Sequence, residues 1–114
     1  MSSTETHAVH DGDRIPPQQI HDALTAAGFV YTDGATQVFT ADGRTTYREH
    51  GTPSDGEWGV DADGRFWSFW PPSYRASYDL TWIVDATGRP AGVRFTDVRN
   101  GGVSEGRYAS ADEA

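Results

Sequence analysis

The sequence predicts a small, mostly β protein: an antiparallel up-and-down meander of about eight strands that closes into a calycin-like barrel, with one short N-terminal helix. Asp-Gly pairs at 33–34, 42–43 and 63–64 separate short alternating runs, a pattern typical of hairpins. Four Trp and five Tyr offset the scarcity of aliphatic residues, because each ring buries a large area. Closure removes exposed strand edges; a half-open sheet of about five to seven strands is the alternative.

The helix is predicted over residues 16–27. Pro16 and Pro17 suit a first helical turn, where a missing N–H costs little. Apolar residues then recur at spacings of three and four, at Ile20, Ala23, Leu24 and Ala27. Gly28 favours an end at this point, since glycine commonly follows the last helical turn. The apolar stripe is narrow, so the helix must pack against something else.

Short alternating runs after Gly28 predict the strands. They cover residues 29–32, 36–41, 44–50, 57–62, 65–70, 77–85, 91–98 and 103–109. In most runs the apolar side chains share one face, but 65–70 carries rings on both, and we expect the helix to cover the second. The folded domain is therefore expected over 15–109, with disordered segments at 1–14 and 110–114.

Composition and charge exclude several classes of protein. The net charge is -8, with nine basic and seventeen acidic residues, which argues against nucleic-acid binding. The absence of cysteine excludes disulfides and thiolate chemistry, and the sequence predicts neither a metal site nor a cofactor. We find no apolar run of membrane-spanning length and no secretory signal, so we expect a cytoplasmic protein, monomeric or a weak homodimer, without a membrane partner.

Several short motifs together resemble a known family. They are Asp42-Gly43, Tyr47, Gly51, Gly56-Glu57-Trp58, Asp63-Gly64-Arg65-Phe66, Trp70-Pro71-Pro72 and Tyr78. They are similar to motifs of small bacterial proteins of unknown function with a calycin-like, lipocalin-related barrel. The likeness spans roughly residues 15–108. Such proteins are usually exported and carry two cysteines near the positions of Trp67 and Ser77, whereas this sequence has no cysteine.

The strand at 44–50 contains the most informative polar residues. Tyr47 is expected to face the interior and to bring Glu49 inward with it, since the two share a face. A carboxyl group among rings could act as general acid or base, or hold a donor group of a ligand. The alternative is that Glu49 lies at the rim in water or pairs with an arginine. His50, at the end of the strand, is a further candidate for proton transfer.

Aromatic residues elsewhere are candidates for lining a cavity. They are Trp58, Trp70, Tyr78 and Trp82; such residues are individually more often core than ligand contacts, but four of them are unusual in so small a chain. Arg75 follows the stiff Trp70-Pro71-Pro72 connection, where it could clamp a ligand carboxylate or simply offset local acidic charge.

Three functions compete. The first is binding of an aromatic or amphipathic small molecule in an aromatic-lined cavity, using Tyr47, Glu49 and the residues just named. The second is a cofactor-free isomerase, cyclase or decarboxylase in which Glu49 or His50 moves a proton and Tyr47 donates a hydrogen bond. The third is an acidic protein-interaction domain.

Overall fold

The structure, a computed structural model, describes residues 9–109. Within this range the chain forms one helix and eight strands in a closed antiparallel barrel, which confirms the predicted fold. The elements are α1 (Pro17–Thr25), β1 (Phe29–Tyr31), β2 (Thr36–Phe39), β3 (Arg44–Glu49), β4 (Thr52–Val60), β5 (Phe66–Trp70), β6 (Tyr74–Val84), β7 (Pro90–Asp97) and β8 (Val103–Tyr108). Each strand pairs with the next, and β8 pairs with β1 to complete the ring.

The hairpin turns alternate between the two ends of the barrel. The turns at 32–35, 50–51, 71–73 and 98–102 lie at one end, which we call the open end. The turns at 40–43, 61–65 and 85–89 lie at the other, which we call the closed end. Ala109 donates its amide to the Gly28 carbonyl at 2.8 Å, so β8 finishes at the closed end.

The helix covers the closed end. Ile20, Ala23 and Leu24 are buried against the aromatic core, as the three- and four-residue spacing predicts. The Tyr108 hydroxyl donates to the Ala23 carbonyl at 2.6 Å and ties the helix to β8. The helix packs chiefly against β2 and β4, so it plugs the barrel rather than covering the outer face of β5.

Residues 11–15 lie along β6, although the sequence suggested disorder through residue 14. The Ile15 amide donates to the Leu80 carbonyl, and Asp13 and Gly12 exchange backbone hydrogen bonds with Trp82. The segment therefore continues the sheet beside β6, beyond the pairing of Tyr78 with Phe66, the first residue of β5. The rest of the predicted disorder, at 1–8 and 110–114, falls outside the described residues.

Two strands begin several residues earlier than the sequence suggested. β4 starts at Thr52 because His50 and Gly51, both with positive φ, form a tight two-residue turn that pairs Thr52 with Glu49. β6 starts at Tyr74 because it pairs with Trp70 directly across the proline turn. The β3–β4 hairpin consequently projects past the end of β5.

Trp67, one of the two rings on the outer face of β5, is covered by neighbouring strands. Trp67 lies across Gly59 of β4, where an added Cβ would approach the indole to 2.9 Å. The Arg75 guanidinium stacks over the same ring, 4.7 Å from its centroid.

Within residues 9–109, no helix combines the length and apolarity that crossing a membrane requires.

We expect the fold to lose stability in alkaline solution. Burial raises the pKa of Tyr108 to about 12 from 10.0, so the folded state holds this proton after the unfolded chain has released it. Its stabilising contribution is fully present below pH 10 and is lost as the pH rises towards 12. Urea unfolding across this range measures the decline.

Tyr108→Phe isolates this group. The variant loses the bond to Ala23, so at neutral pH it should be less stable by about 1 kcal/mol, and its alkaline decline should be shallower. Tyr74→Phe is the matched control at the open end: it removes only an exposed 3.3 Å bond from Arg99, so it should change the stability much less than Tyr108→Phe does. An undiminished alkaline decline in Tyr108→Phe contradicts the assignment.

Candidate functional site

A cavity of about 510 Å³ occupies the open end of the barrel. Its floor is a layer of three rings, Phe39, Phe66 and Phe95, whose centroids lie 5.7–6.2 Å apart. Above this layer the inward positions of β5 and β8 carry the small residues Ser68 and Ser104, which leave space that larger side chains would fill. The cavity therefore begins where the packed aromatic core ends.

Aromatic rings, most of them tyrosines, form the wall of this cavity. Tyr31, Tyr47, Trp70 and Tyr78 line it together with Gln37, and Thr32, Asp33, Val103 and Glu105 lie towards its mouth. The Tyr31 and Tyr47 rings are 6.0 Å apart, and Tyr47 meets Trp70 edge-on at 6.4 Å. An apolar surface interrupted by a few fixed polar groups is typical of small-molecule sites.

A chain of hydrogen bonds runs from the cavity into the wall. Tyr31 Oη donates to Gln37 Oε1 at 2.6 Å, and Gln37 Nε2 donates to Thr45 Oγ1 at 2.9 Å. Thr45 Oγ1 in turn donates to the Val38 carbonyl at 2.8 Å. Gln37 and Thr45 are 7% and 2% exposed, so these bonds satisfy polar groups that would otherwise be costly to bury.

The carbonyl at the end of the chain fixes the direction of every bond. A carbonyl only accepts, so Thr45 must give it the hydroxyl proton and must itself accept from the Gln37 amide nitrogen. This turns the Gln37 oxygen towards Tyr31, whose hydroxyl proton is thereby committed. The Tyr31 oxygen can then only accept a hydrogen bond from the cavity.

The tyrosine hydroxyls of the cavity are neutral at physiological pH. Burial is the main cause that raises the pKa of Tyr31, and its tyrosine neighbours raise it further. Burial also raises the pKa of Tyr78 and of Tyr47, and the negative charges of Glu49 and Asp33 add to the rise at Tyr47. The phenols therefore act as uncharged hydrogen-bonding groups.

Trp70 owes its position to a glycine on the neighbouring strand. Its indole lies against Gly56 of β4, where an added Cβ would come within 2.6 Å of Cε3. Tyr47 and Trp70 also border a shallower cleft of about 310 Å³ with Ser54, Asp55 and Pro71. These two rings therefore stand between the cavity and the projecting β3–β4 hairpin.

The charge around the cavity is acidic. Among the residues that the structure describes, no arginine lines the cavity, whereas Asp33 and Glu105 do. Glu105 is paired with Arg94 at 2.8 Å, and Arg94 also approaches Asp11 at 3.7 Å. Asp33 accepts the Ala35 amide at 3.0 Å in the β1–β2 turn, a neutral partner that leaves its charge in place.

Three of the residues singled out in the sequence line the cavity: Tyr47, Trp70 and Tyr78. Glu49 shares the inward face of β3 but lies beyond Arg48, the last residue of β3 that pairs with β2, so it stands on the projecting hairpin. Its side chain is 51% exposed, and that of His50 is 88% exposed. Both are at the open end but outside the cavity.

The other candidates lie elsewhere in the barrel. Trp58 is buried at the closed end, where its Nε1 donates to the Thr40 carbonyl at 3.0 Å and its ring packs beside His21. Trp82 packs against the core next to the N-terminal segment. Arg75 points away from the interior, over Trp67. These three residues serve packing in this structure rather than the cavity.

Sequence reasoning missed Tyr31, Gln37 and Ser68 as cavity residues. Tyr31 lies within the predicted strand 29–32, and period-two alternation places it on the same face as Phe29, which is buried. Gln37 shares its inward face with Phe39, but no sequence signal separates a buried glutamine from an exposed one. Ser68 stands between inward Phe66 and Trp70, and a small residue between two rings indicates space.

Comparisons of the chain with protein-family models, with curated proteins and with solved structures find no match. Within residues 9–109, no group of three or more His, Asp or Glu side chains is placed to hold a metal ion. What can be said of function therefore depends on the geometry of the cavity.

Gly56→Ala tests how Trp70 is positioned. The new methyl group collides with the indole and with the Phe69 carbonyl, so we expect a loss of about 1 to 3 kcal/mol in stability and a changed Trp fluorescence spectrum. Gly28→Ala is the control, because its Cβ would meet its nearest neighbour at an ordinary 3.7 Å. Equal stability and spectra for both variants would show that Trp70 does not depend on Gly56.

Proposed function

We propose that this chain is a small-molecule-binding barrel that takes an aromatic or amphipathic ligand in the cavity at its open end. The observation that supports this most is the cavity itself, about 510 Å³ in volume and bounded by rings and neutral hydroxyls. A volume in this range accommodates a ligand of one to three rings. The resemblance of its short motifs to calycin-like proteins adds to the proposal, because barrels of that architecture hold ligands in the same place.

The closed end favours a binding role by making the cavity a pocket rather than a channel. The layer of Phe39, Phe66 and Phe95 blocks the interior, and beneath it the helix adds Ile20 and Leu24. A ligand entering from the open end would therefore meet an apolar floor and a partly polar wall. Such a site buries most of a small ligand, which supplies the main favourable term in binding.

The enzymatic alternative has less support from the positions of the residues. A cofactor-free isomerase, cyclase or decarboxylase needs an acid or base within hydrogen-bond reach of a bound substrate. Glu49 and His50 lie on the projecting hairpin, and Glu105 is engaged by Arg94. The remaining carboxylate of the lining, Asp33, belongs to the β1–β2 turn, where it accepts the Ala35 amide. A protein-interaction domain would use the acidic loops together with the outer aromatic face of β5, and one ring of that face, Trp67, lies against Gly59 and under Arg75.

A neutral fluorescent probe tests the proposal. N-phenyl-1-naphthylamine should bind with increased emission, because the apolar floor removes it from water, and its affinity follows from a titration. Ser104→Trp places an indole at the mouth and should weaken binding by about tenfold or more, since the volume left is too small. Ala86→Trp adds the same side chain at the exposed closed-end turn 85–89 and serves as control.

Absence of binding to the unaltered protein, or equal binding by the two tryptophan variants, contradicts the proposal. The thermal stability of each variant, measured alongside, confirms that both are folded. Because the two substitutions add the same ring, a difference between them reports the location of the probe rather than a general effect of added apolar surface.

A further inference from the structure

We propose that the ligand is a protonated amine on an apolar or aromatic body, and that Asp33 and the Tyr31 oxygen receive its ammonium group. This inference rests on the proposed function and names the chemical class of ligand for the same cavity. It follows from two independent features of the site, namely the charge at the mouth and the direction of the hydrogen bonds in the wall.

The charge at the mouth opposes an anionic ligand group. A carboxylate in the cavity would approach Asp33, whose partner is the neutral Ala35 amide, and would find no arginine among the lining residues that the structure describes. The arginines near the open end are held elsewhere: Arg99 lies 3.8 Å from Asp97 and over the Tyr74 ring. Arg48, on β3, has the outward orientation opposite to Tyr47. An ammonium group in the cavity is attracted by the Asp33 carboxylate.

The hydrogen-bond chain that begins at Tyr31 favours a donor on the ligand at this point of the wall. Because the Tyr31 proton is committed to Gln37, the Tyr31 oxygen offers only lone pairs to the cavity. A ligand carbonyl or carboxylate placed there would face an oxygen that has no proton to give. An N–H of an ammonium group supplies the missing donor and forms a charge-assisted bond, which is stronger than a neutral one.

The rings beside these two groups also favour a cation. Tyr31, Tyr47 and Trp70 follow one another around the wall at centroid distances of 6.0 and 6.4 Å. The negative face of an aromatic ring attracts an ammonium group that lies within about 6 Å of the ring centroid. The net charge of -8 adds a longer-range attraction that salt will weaken.

Three probes that share an indole ring and an ethyl chain test the inference by isothermal titration calorimetry: tryptamine, 3-ethylindole and indole-3-propionate. At neutral pH they carry a positive charge, no charge and a negative charge at the end of the chain. We expect tryptamine to bind about tenfold or more tightly than indole-3-propionate, with 3-ethylindole between them. Added salt should reduce the difference in affinity between tryptamine and indole-3-propionate.

Two variants assign the effect to residues. Asp33→Asn keeps an oxygen that can accept the Ala35 amide but removes the charge, so it should reduce the preference for tryptamine by about threefold or more. Tyr31→Phe removes the acceptor, so it should weaken tryptamine by about tenfold while changing 3-ethylindole much less. Asp63→Asn makes the same charge change in the 61–65 turn at the closed end and should leave the preference unaltered.

The outcomes separate this inference from the proposed function. If the neutral naphthylamine probe binds in the cavity but tryptamine shows no advantage over indole-3-propionate, the inference is overturned and the binding function stands. If Asp33→Asn affects the preference no more than Asp63→Asn does, or Tyr31→Phe weakens all three indoles equally, the assignment to these residues is overturned. If neither the naphthylamine nor any indole binds, both proposals fail.

Discussion

The packing of aromatic rings against one another inside the barrel is the interaction on which the rest of the structure depends. Phe29, Phe39, Phe66 and Phe95 meet edge-to-face or stacked, and they join four strands, β1, β2, β5 and β7, through one cluster of rings. Below this cluster, aliphatic side chains from the helix and from Ile15 complete the apolar core. Above it the rings are fewer and are separated by small or polar residues, so the same packing that stabilises one end leaves a cavity at the other.

The sequence predicted the fold well because its signals are local. Asp-Gly pairs specify tight turns, and alternation identifies the inward face of a strand, as in β7, where Val93 and Phe95 alternate with more exposed residues. Alternation does not say how far along the barrel axis a residue lies, because that height is set by pairing with other strands. Trp58 and Glu49 show this most clearly: both lie on inward faces, but one is at the closed end and the other is beyond the rim.

Two further features were hidden from the sequence for a different reason. Residues 11–14 are polar, and they are attached to β6 mainly through backbone groups, which composition does not report. Gln37 and Thr45 are also polar but buried, and each is accommodated because its partners lie on an adjacent strand. Only the cross-strand register brings such partners together, so a single sequence contains little trace of them.

The bond between Thr45 and the Val38 carbonyl has a consequence for the dynamics of recognition. A phenol hydroxyl usually rotates to suit whatever approaches it, and a bound molecule must then halt that rotation. In this barrel the Tyr31 hydroxyl already has a fixed orientation, because three consecutive hydrogen bonds connect it to the Val38 carbonyl in the sheet. Binding at Tyr31 therefore costs little rotational entropy of the hydroxyl. The free protein is already organised to distinguish hydrogen-bond donors from acceptors on a ligand.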